Sequence, residues 1–292
     1  MKTKFVTCIY SNLFGTKFGG RPSRNLHYKY SLLSLTKIQN AKYICYTSEE
    51  EIQDLSNFFY DENGVNLENL ELKIFDLSKT NQQALFEEYK NYQEAYSSDR
   101  CLEIQYAKFE LLKENLDDEF DYFFWIDAGL SHCGLIPNKH LTQNLGHRSY
   151  YESHIFNNNF LQNLISFTND KIFIIGKENQ RNFWSQTVDM KHYDNYSADY
   201  HIIGGIFGGN RISCEKLTNL FELYTDQITR SDGRVYPEEN IMTVIWRNNE
   251  SIFSIKLFDT WWHENSGIPD LDIEEHLRIN KSFYKILEEL ND

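Results

Sequence analysis

The 292-residue sequence predicts an α/β fold: a single domain on a mostly parallel central sheet flanked by helices, with a C-terminal helix. Three observations carry this prediction. Short β-rich runs alternate with segments of helical spacing, the pattern of a parallel sheet with crossover helices. One run, Tyr122-Phe123-Phe124-Trp125-Ile126, is apolar without interruption, as a strand covered on both faces requires. Hydrophobic residues make up 41% of the chain and aromatics 15%, too apolar for a disordered polypeptide.

Residues 5–10 read as the first strand, and Gly15, Gly19, Gly20 and Pro22 then break regular structure. Leu26, Tyr30, Leu33 and Leu35 sit near helical spacing, so a helix is expected over about 23–37. Strands at 42–47 and 70–75 enclose a helix at 49–59. Over 99–116, Leu102, Tyr106, Phe109, Leu112 and Leu116 form one apolar stripe, the mark of a helix packed on a sheet. The central strand at 122–126 ends abruptly at Asp127-Ala128-Gly129. The stretch 138–163 is polar and gives no clear element. A strand at 171–176, helices at 212–228 and 238–246, a strand at 251–258 and a terminal helix from about Leu271 complete the reading. With four prolines, no low-complexity linker and no repeat, one continuous domain is the expected organisation.

Charge and cysteines narrow the function. The chain carries 43 acidic against 29 basic side chains, a formal charge of -14, which argues against broad nucleic-acid binding. No stretch approaches the ~20 apolar residues of a membrane helix. The opening Met1-Lys2-Thr3-Lys4 precedes too short an apolar run for a signal peptide. Five widely spaced cysteines, with no CxxC pair, read as reduced thiols, so a cytoplasmic protein is expected.

Five segments could carry chemistry. Asp127 follows a buried central strand, where open α/β sheets place ligands, and could offer an oxygen to Mg or Mn; the alternative is an acid that merely opens a turn. Gly204, Gly205, Gly208 and Gly209 flank Ile206-Phe207, a pattern hard to reconcile with a plain strand. It suggests backbone passing close to a bulky ligand such as a sugar, or a pair of bulges. Glu238 and Glu239 follow Pro237 in a predicted first helical turn, where capping alone explains them, although either could serve as a base or nucleophile. Trp261 and Trp262 precede His263, giving a stacking face beside a candidate metal ligand or a simple anchor for the tail. Arg21, Arg24, Lys29 and Lys108 could form a phosphate pocket or pair on the surface.

Taken together, these segments resemble the HtrL/YibB-like proteins of bacteria, which are grouped with glycosyltransferases of GT-A-like (Rossmann-like) fold. The matching pieces are Gly19-Gly20-Arg21 with Arg24 and Tyr28, Tyr106-Ala107-Lys108-Phe109, Tyr122 to Gly129, Gly204 to Gly209, and Glu238-Glu239, spanning about residues 5–265. The resemblance implies a nucleotide-binding half (1–130), a sugar and acceptor half (131–265) and a helical tail (266–292). It implies a hexosyltransferase-like enzyme that moves a sugar from a nucleotide diphosphate sugar, UDP favoured, to a surface-glycan acceptor such as a lipopolysaccharide or capsule precursor. The chain would work in the cytoplasm, at most peripheral to the inner membrane.

By the same resemblance, Thr7 and Tyr10 lie along the nucleotide, and Arg21 and Lys108 face the diphosphate. Asp127 looks like the acid of the DxD motif, Ala128, Gly129, Gly205, Gly208 and Gly209 line the donor, and His263 completes a Mn or Mg site. Glu239 acts toward the acceptor, with Glu238 in reserve. The sequence departs from the motif because Ala128 and Gly129 stand where its second acid would be. A binding protein that keeps the fold without transfer is the alternative. A metal-dependent phosphohydrolase lacks the His/Asp clusters it would need.

Overall fold

The computed structural model describes residues 1–10, 23–89, 101–129, 158–177, 202–233, 235–258 and 289–290. Seven strands, β1 (Thr3–Ile9), β2 (Ala41–Thr47), β3 (Leu70–Ile74), β4 (Tyr122–Ile126), β5 (Ile172–Lys177), β6 (Ile202–Asn210) and β7 (Phe253–Phe258), join one sheet. Their order is β3-β2-β1-β4-β6-β5-β7. Pairing is parallel throughout except where β6 lies antiparallel to both β4 and β5, so six strands run one way and β6 runs back between them. The sheet is mostly parallel, as its sequence predicts.

Helices α1 (Ser23–Leu35), α2 (Ile52–Ser56), α3 (Gln83–Glu88), α4 (Cys101–Glu114), α5 (Asn158–Thr168), α6 (Arg211–Asp232) and α7 (Glu238–Asn248) cover the sheet. Because strand side chains alternate between faces, β4 feeds two cores. Phe123 and Trp125 pack with α4, α6 and α7, whereas Phe124 and Ile126 pack with α1, α2 and α5. The α4 stripe behaves as its spacing predicts: Tyr106 and Phe109 are buried, and the Phe109 ring stacks on Phe207 of β6 and Phe221 of α6. Cys45 and Cys214 are buried free thiols and Cys8 is half-buried.

Several boundaries differ from expectation for local reasons. The helix read over 49–59 is a short α2 that widens into a π-turn at Asn57–Glu62, which buries Phe58 and Phe59 together. Residues 158–168, which begin within the stretch that gave no clear element and run past its end, form α5 because Phe160, Leu161, Leu164 and Ile165 share one buried face. Helix α6 starts earlier and ends later than its apolar spacing. Asn210 Oδ1 accepts the Ser213 N–H at its start, and Gly233 closes its end at φ 68°. The terminal helix expected from about Leu271 lies outside the described residues apart from 289–290, which are helical; Leu290 is buried there and its carbonyl accepts from Asn163 of α5.

The glycine-rich segment forms a nine-residue strand that pairs continuously with β4 and around a bulge with β5. Glycine is required there by the protein's own packing. A Cβ on Gly208 would stand 2.2 Å from the Phe123 carbonyl oxygen, and one on Gly209 would stand 2.7 Å from that of Lys171.

Candidate active site

The chain lays β2 and β3 on one side of β1 and then returns to place β4 on the other. Such a reversal opens a crevice outside the carboxyl ends of the two diverging strands, the usual ligand position in open α/β sheets. Tyr10 follows β1 at this point, and Asp127 follows β4. Both belong to the face covered by α4, α6 and α7: Tyr10 packs in that core, and Asp127 follows Trp125 on the same face. Tyr10 is buried, and its hydroxyl donates to the Phe75 carbonyl at 2.9 Å.

Asp127 is held from three directions. Its N–H donates to the Gly205 carbonyl at 2.8 Å, extending the β4–β6 pairing by one residue. Its Oδ1 accepts from Trp125 Nε1 at 2.8 Å, because residues two apart in a strand share a face. The Lys108 ammonium lies 3.1 Å from the same oxygen. The Asp127 side chain nonetheless remains 44% exposed, open to the crevice.

Opposite stands the first turn of α7. The β5–β6 pairing advances one residue in β5 and four in β6 between Ile174–Phe207 and Ile175–Ile203, a bulge that leaves Gly204 outside the ladder on that side. Its backbone is used by side chains instead. Glu239 Oε1 accepts the Gly204 N–H at 2.9 Å, and Lys108 Nζ donates to the Gly204 carbonyl at 3.0 Å and to Glu238 Oε1 at 2.9 Å. A Cβ on Gly204 would come within 2.5 Å of Glu238 Oε1, so the carboxylate occupies the space that glycine leaves. Thr243 completes the joint, accepting the Ile202 N–H at 3.1 Å and donating to the Glu239 carbonyl at 2.7 Å.

Electrostatics follow from this geometry. Burial alone would push the Lys108 ammonium down, but the carboxylates of Asp127, Glu238 and Glu239 outweigh it and hold the group well above the ordinary lysine range. Burial, then the charge of Glu238, raises the Tyr106 phenol, whose hydroxyl donates to the Tyr236 carbonyl at 2.6 Å. Glu238 Oε2 is buried and has no hydrogen-bond partner among the described residues.

Among the described residues, no three His, Cys, Asp or Glu side chains converge as a metal cage. The half-exposed Asp127 carboxylate is an oxygen donor of the type that hard divalent cations accept.

The expected site residues divide clearly. Tyr10, Lys108, Asp127, Gly205, Glu238 and Glu239 gather at the crevice or its wall. Ala128 is buried directly behind Asp127, and Gly129 follows it in the turn. Gly208 and Gly209 pair with Phe124 and Phe123, so they lie about 10 Å or more down the strand from Asp127, enclosed by protein backbone. Thr7 shares the opposite face with Phe5 and Ile9 and is fully buried there, away from the crevice. Lys29 also leaves the suggested phosphate pocket: it is buried on the far side of the sheet, 2.5 Å from Asp54 and over the Phe58 ring. Lys108 is at the site, but two of its N–H groups are taken by the Gly204 carbonyl and Glu238 Oε1, and Asp127 is its ion-pair neighbour. Arg21, His263, Trp261 and Trp262, and the side chain of Arg24, lie outside the described residues.

Gly204, Trp125 and Thr243 are the members of this arrangement that sequence reasoning did not single out by role. The Trp125 contact was legible in principle, since a donor two residues before a strand-end acid shares its face. The roles of Gly204 and Thr243 depend on the bulge and had no local signal.

Among the described residues, no helix is long and apolar enough to cross a membrane. No protein-family model and no curated protein matches the chain. Solved structures similar to it include mouse xyloside xylosyltransferase 1 in its apo form, at 12% identity over 91% of this chain and 92% of that one, with a TM-score of 0.49. Galactosyltransferase LgtC in complex with donor and acceptor sugar analogs is similar at 8% identity over 87% and 73% of the two chains, with a TM-score of 0.42. The 4-diphosphocytidyl-2C-methyl-D-erythritol synthase from Anaerococcus prevotii DSM 20548 is similar at 12% identity over 97% and 96%, with a TM-score of 0.39.

Proposed function

We propose that the protein is a glycosyltransferase that moves one sugar from a nucleotide diphosphate sugar to a glycan acceptor. The observation that carries the reading is the half-exposed Asp127 at the β1/β4 switch-point crevice, facing the acid-bearing first turn of α7 across Gly204. The resemblance of the sequence to HtrL/YibB-like proteins directs the acceptor toward a bacterial lipopolysaccharide or capsule precursor, reached from the cytoplasmic side of the membrane, and a UDP-sugar is the proposed donor.

In this reading the nucleotide lies over the end of β1 beside Tyr10, and Asp127 meets the diphosphate end of the donor. Asp127 and His263 are the residues that would hold Mn or Mg, and the ion, when bound, offsets charge on the leaving diphosphate. Glu239 takes the proton of the acceptor hydroxyl if the reaction inverts, or faces the developing positive charge of the sugar if it retains. Its grip on the Gly204 N–H fixes the carboxylate relative to β6, which is the orientation a base requires.

Thermal shift against UDP-, GDP- and CMP-sugars, with and without Mn, tests donor binding, since a ligand that binds only the folded state raises its melting temperature. Turnover with the best donor then tests the roles. Asp127→Asn and Glu239→Gln are each expected to lower kcat at least about 100-fold, and activity unchanged in both would remove this site from the reaction. Replacement of the second DxD acid by Gly129 favours one other reading, a protein that binds a nucleotide sugar without transferring it. Calorimetric binding unaffected by Mn, with no product from any acceptor, would select that reading.

A further inference from the structure

We propose that Lys108 is a positioning residue that ties Asp127, Glu238 and the Gly204 carbonyl into one arrangement without itself contacting the donor diphosphate, an inference that rests on the transferase reading. An ammonium carries three N–H donors and no acceptor. Among the described residues, Lys108 Nζ donates to Glu238 Oε1 at 2.9 Å and to the Gly204 carbonyl at 3.0 Å, and forms an ion pair with Asp127 Oδ1 at 3.1 Å. These oxygens belong to three separate elements, α7, β6 and the exit of β4, and Lys108 reaches them from a fourth, α4. Its side chain is only 7% exposed. With two of its donors bound and its ammonium enclosed, Lys108 is placed to hold these elements together rather than to reach a phosphate in the crevice.

The arrangement is also coupled in energy. Glu238 is 4% exposed at its side chain and, among the described residues, its Oε2 has no partner and its ion-pair partner is Lys108, the cation that permits a carboxylate at this depth. Removing one member of a buried pair leaves the other uncompensated, whereas removing both is far milder. Lys108 therefore determines where the first turn of α7 sits against β6, and it restrains the oxygen that Asp127 presents beside the crevice.

The test compares Lys108→Met, Glu238→Gln and the double variant with the wild-type protein. In denaturant unfolding, Lys108→Met is expected to raise the unfolding constant at least about 100-fold. The double variant is expected to recover most of that loss, and additive effects of the two substitutions would overturn the coupling. The double variant, which retains a neutral pair, then reports on the ligand. For UDP alone, measured by calorimetry without metal, its Kd is expected to stay within about threefold of wild type, while the gain in affinity on adding Mn, and kcat with a UDP-sugar, both fall at least about tenfold. Metal-free UDP binding weakened about tenfold or more would make Lys108 a diphosphate ligand and overturn the proposal. Should wild-type protein bind no nucleotide, the transferase reading fails by itself, and the unfolding cycle still decides whether Lys108 holds the cluster together.

Discussion

At the scale of single residues, the glycines of β6 show how one residue type answers to different neighbours. Gly208 faces backbone: its added Cβ would meet the Phe123 carbonyl oxygen at 2.2 Å and Phe124 Cα at 2.7 Å, and a paired strand cannot move away. Gly204 faces the end of a side chain, Glu238 Oε1 at 2.5 Å, which can yield only by breaking its bond to Lys108. Gly64 has open space but a φ of 63°, so alanine there meets backbone strain alone. Chemical denaturation of the three alanine variants is expected to rank them in that order. Gly208→Ala loses more than about 3 kcal/mol, Gly204→Ala about 2–3, and Gly64→Ala about 1. A Gly208→Ala protein as stable as Gly64→Ala would refute the backbone contact. The sequence made these glycines conspicuous, but the choice between a ligand and a neighbouring strand depends on register, and register was set by residues far away in the chain.

At the scale of elements, the apolar periodicities were sound guides and the joints were not. The stripe of α4 and the uninterrupted run of β4 were legible because burial on one or both faces is written into local spacing. The reversal of β6 and its bulge were not, since both follow from which strands flank it. The acids of α7 fitted simple helix capping in sequence, and only the bulge reveals that Glu239 reaches across to the Gly204 N–H. Thr243 is the sharpest probe of this joint, because its hydroxyl is the acceptor for the buried Ile202 N–H. Thr243→Val keeps the shape and removes the acceptor, so a loss of about 1–3 kcal/mol is expected in denaturant titration, with little change in m. Thr243→Ser retains the oxygen and is expected to lose clearly less. Equal losses in the two variants would mean that the methyl group, and not the hydrogen bond, secures α7 to β6.

At the scale of the whole molecule, the order of strands bears on whether the proposed halves of the chain are separable. Residues 1–130 contain β1 to β4, yet the outer edge of β4 pairs with β6, which the chain reaches only after residue 201. The core on the α4 face is likewise shared, because Phe123 and Trp125 pack with Leu217 and Phe221 of α6 and with Ile241 and Ile245 of α7. Cutting at 130 would expose an apolar strand edge together with the aromatic face above it, the combination that drives chains to aggregate. It would also strip Lys108 of Glu238 and the Gly204 carbonyl. Expressed alone, residues 1–130 are therefore expected to give an aggregated or non-cooperatively melting product by circular dichroism, while co-expression with residues 131–292 restores a single transition. A fragment 1–130 that is monomeric and melts cooperatively would show that the first four strands form a unit by themselves. The site would then lie between two folding units instead of within one.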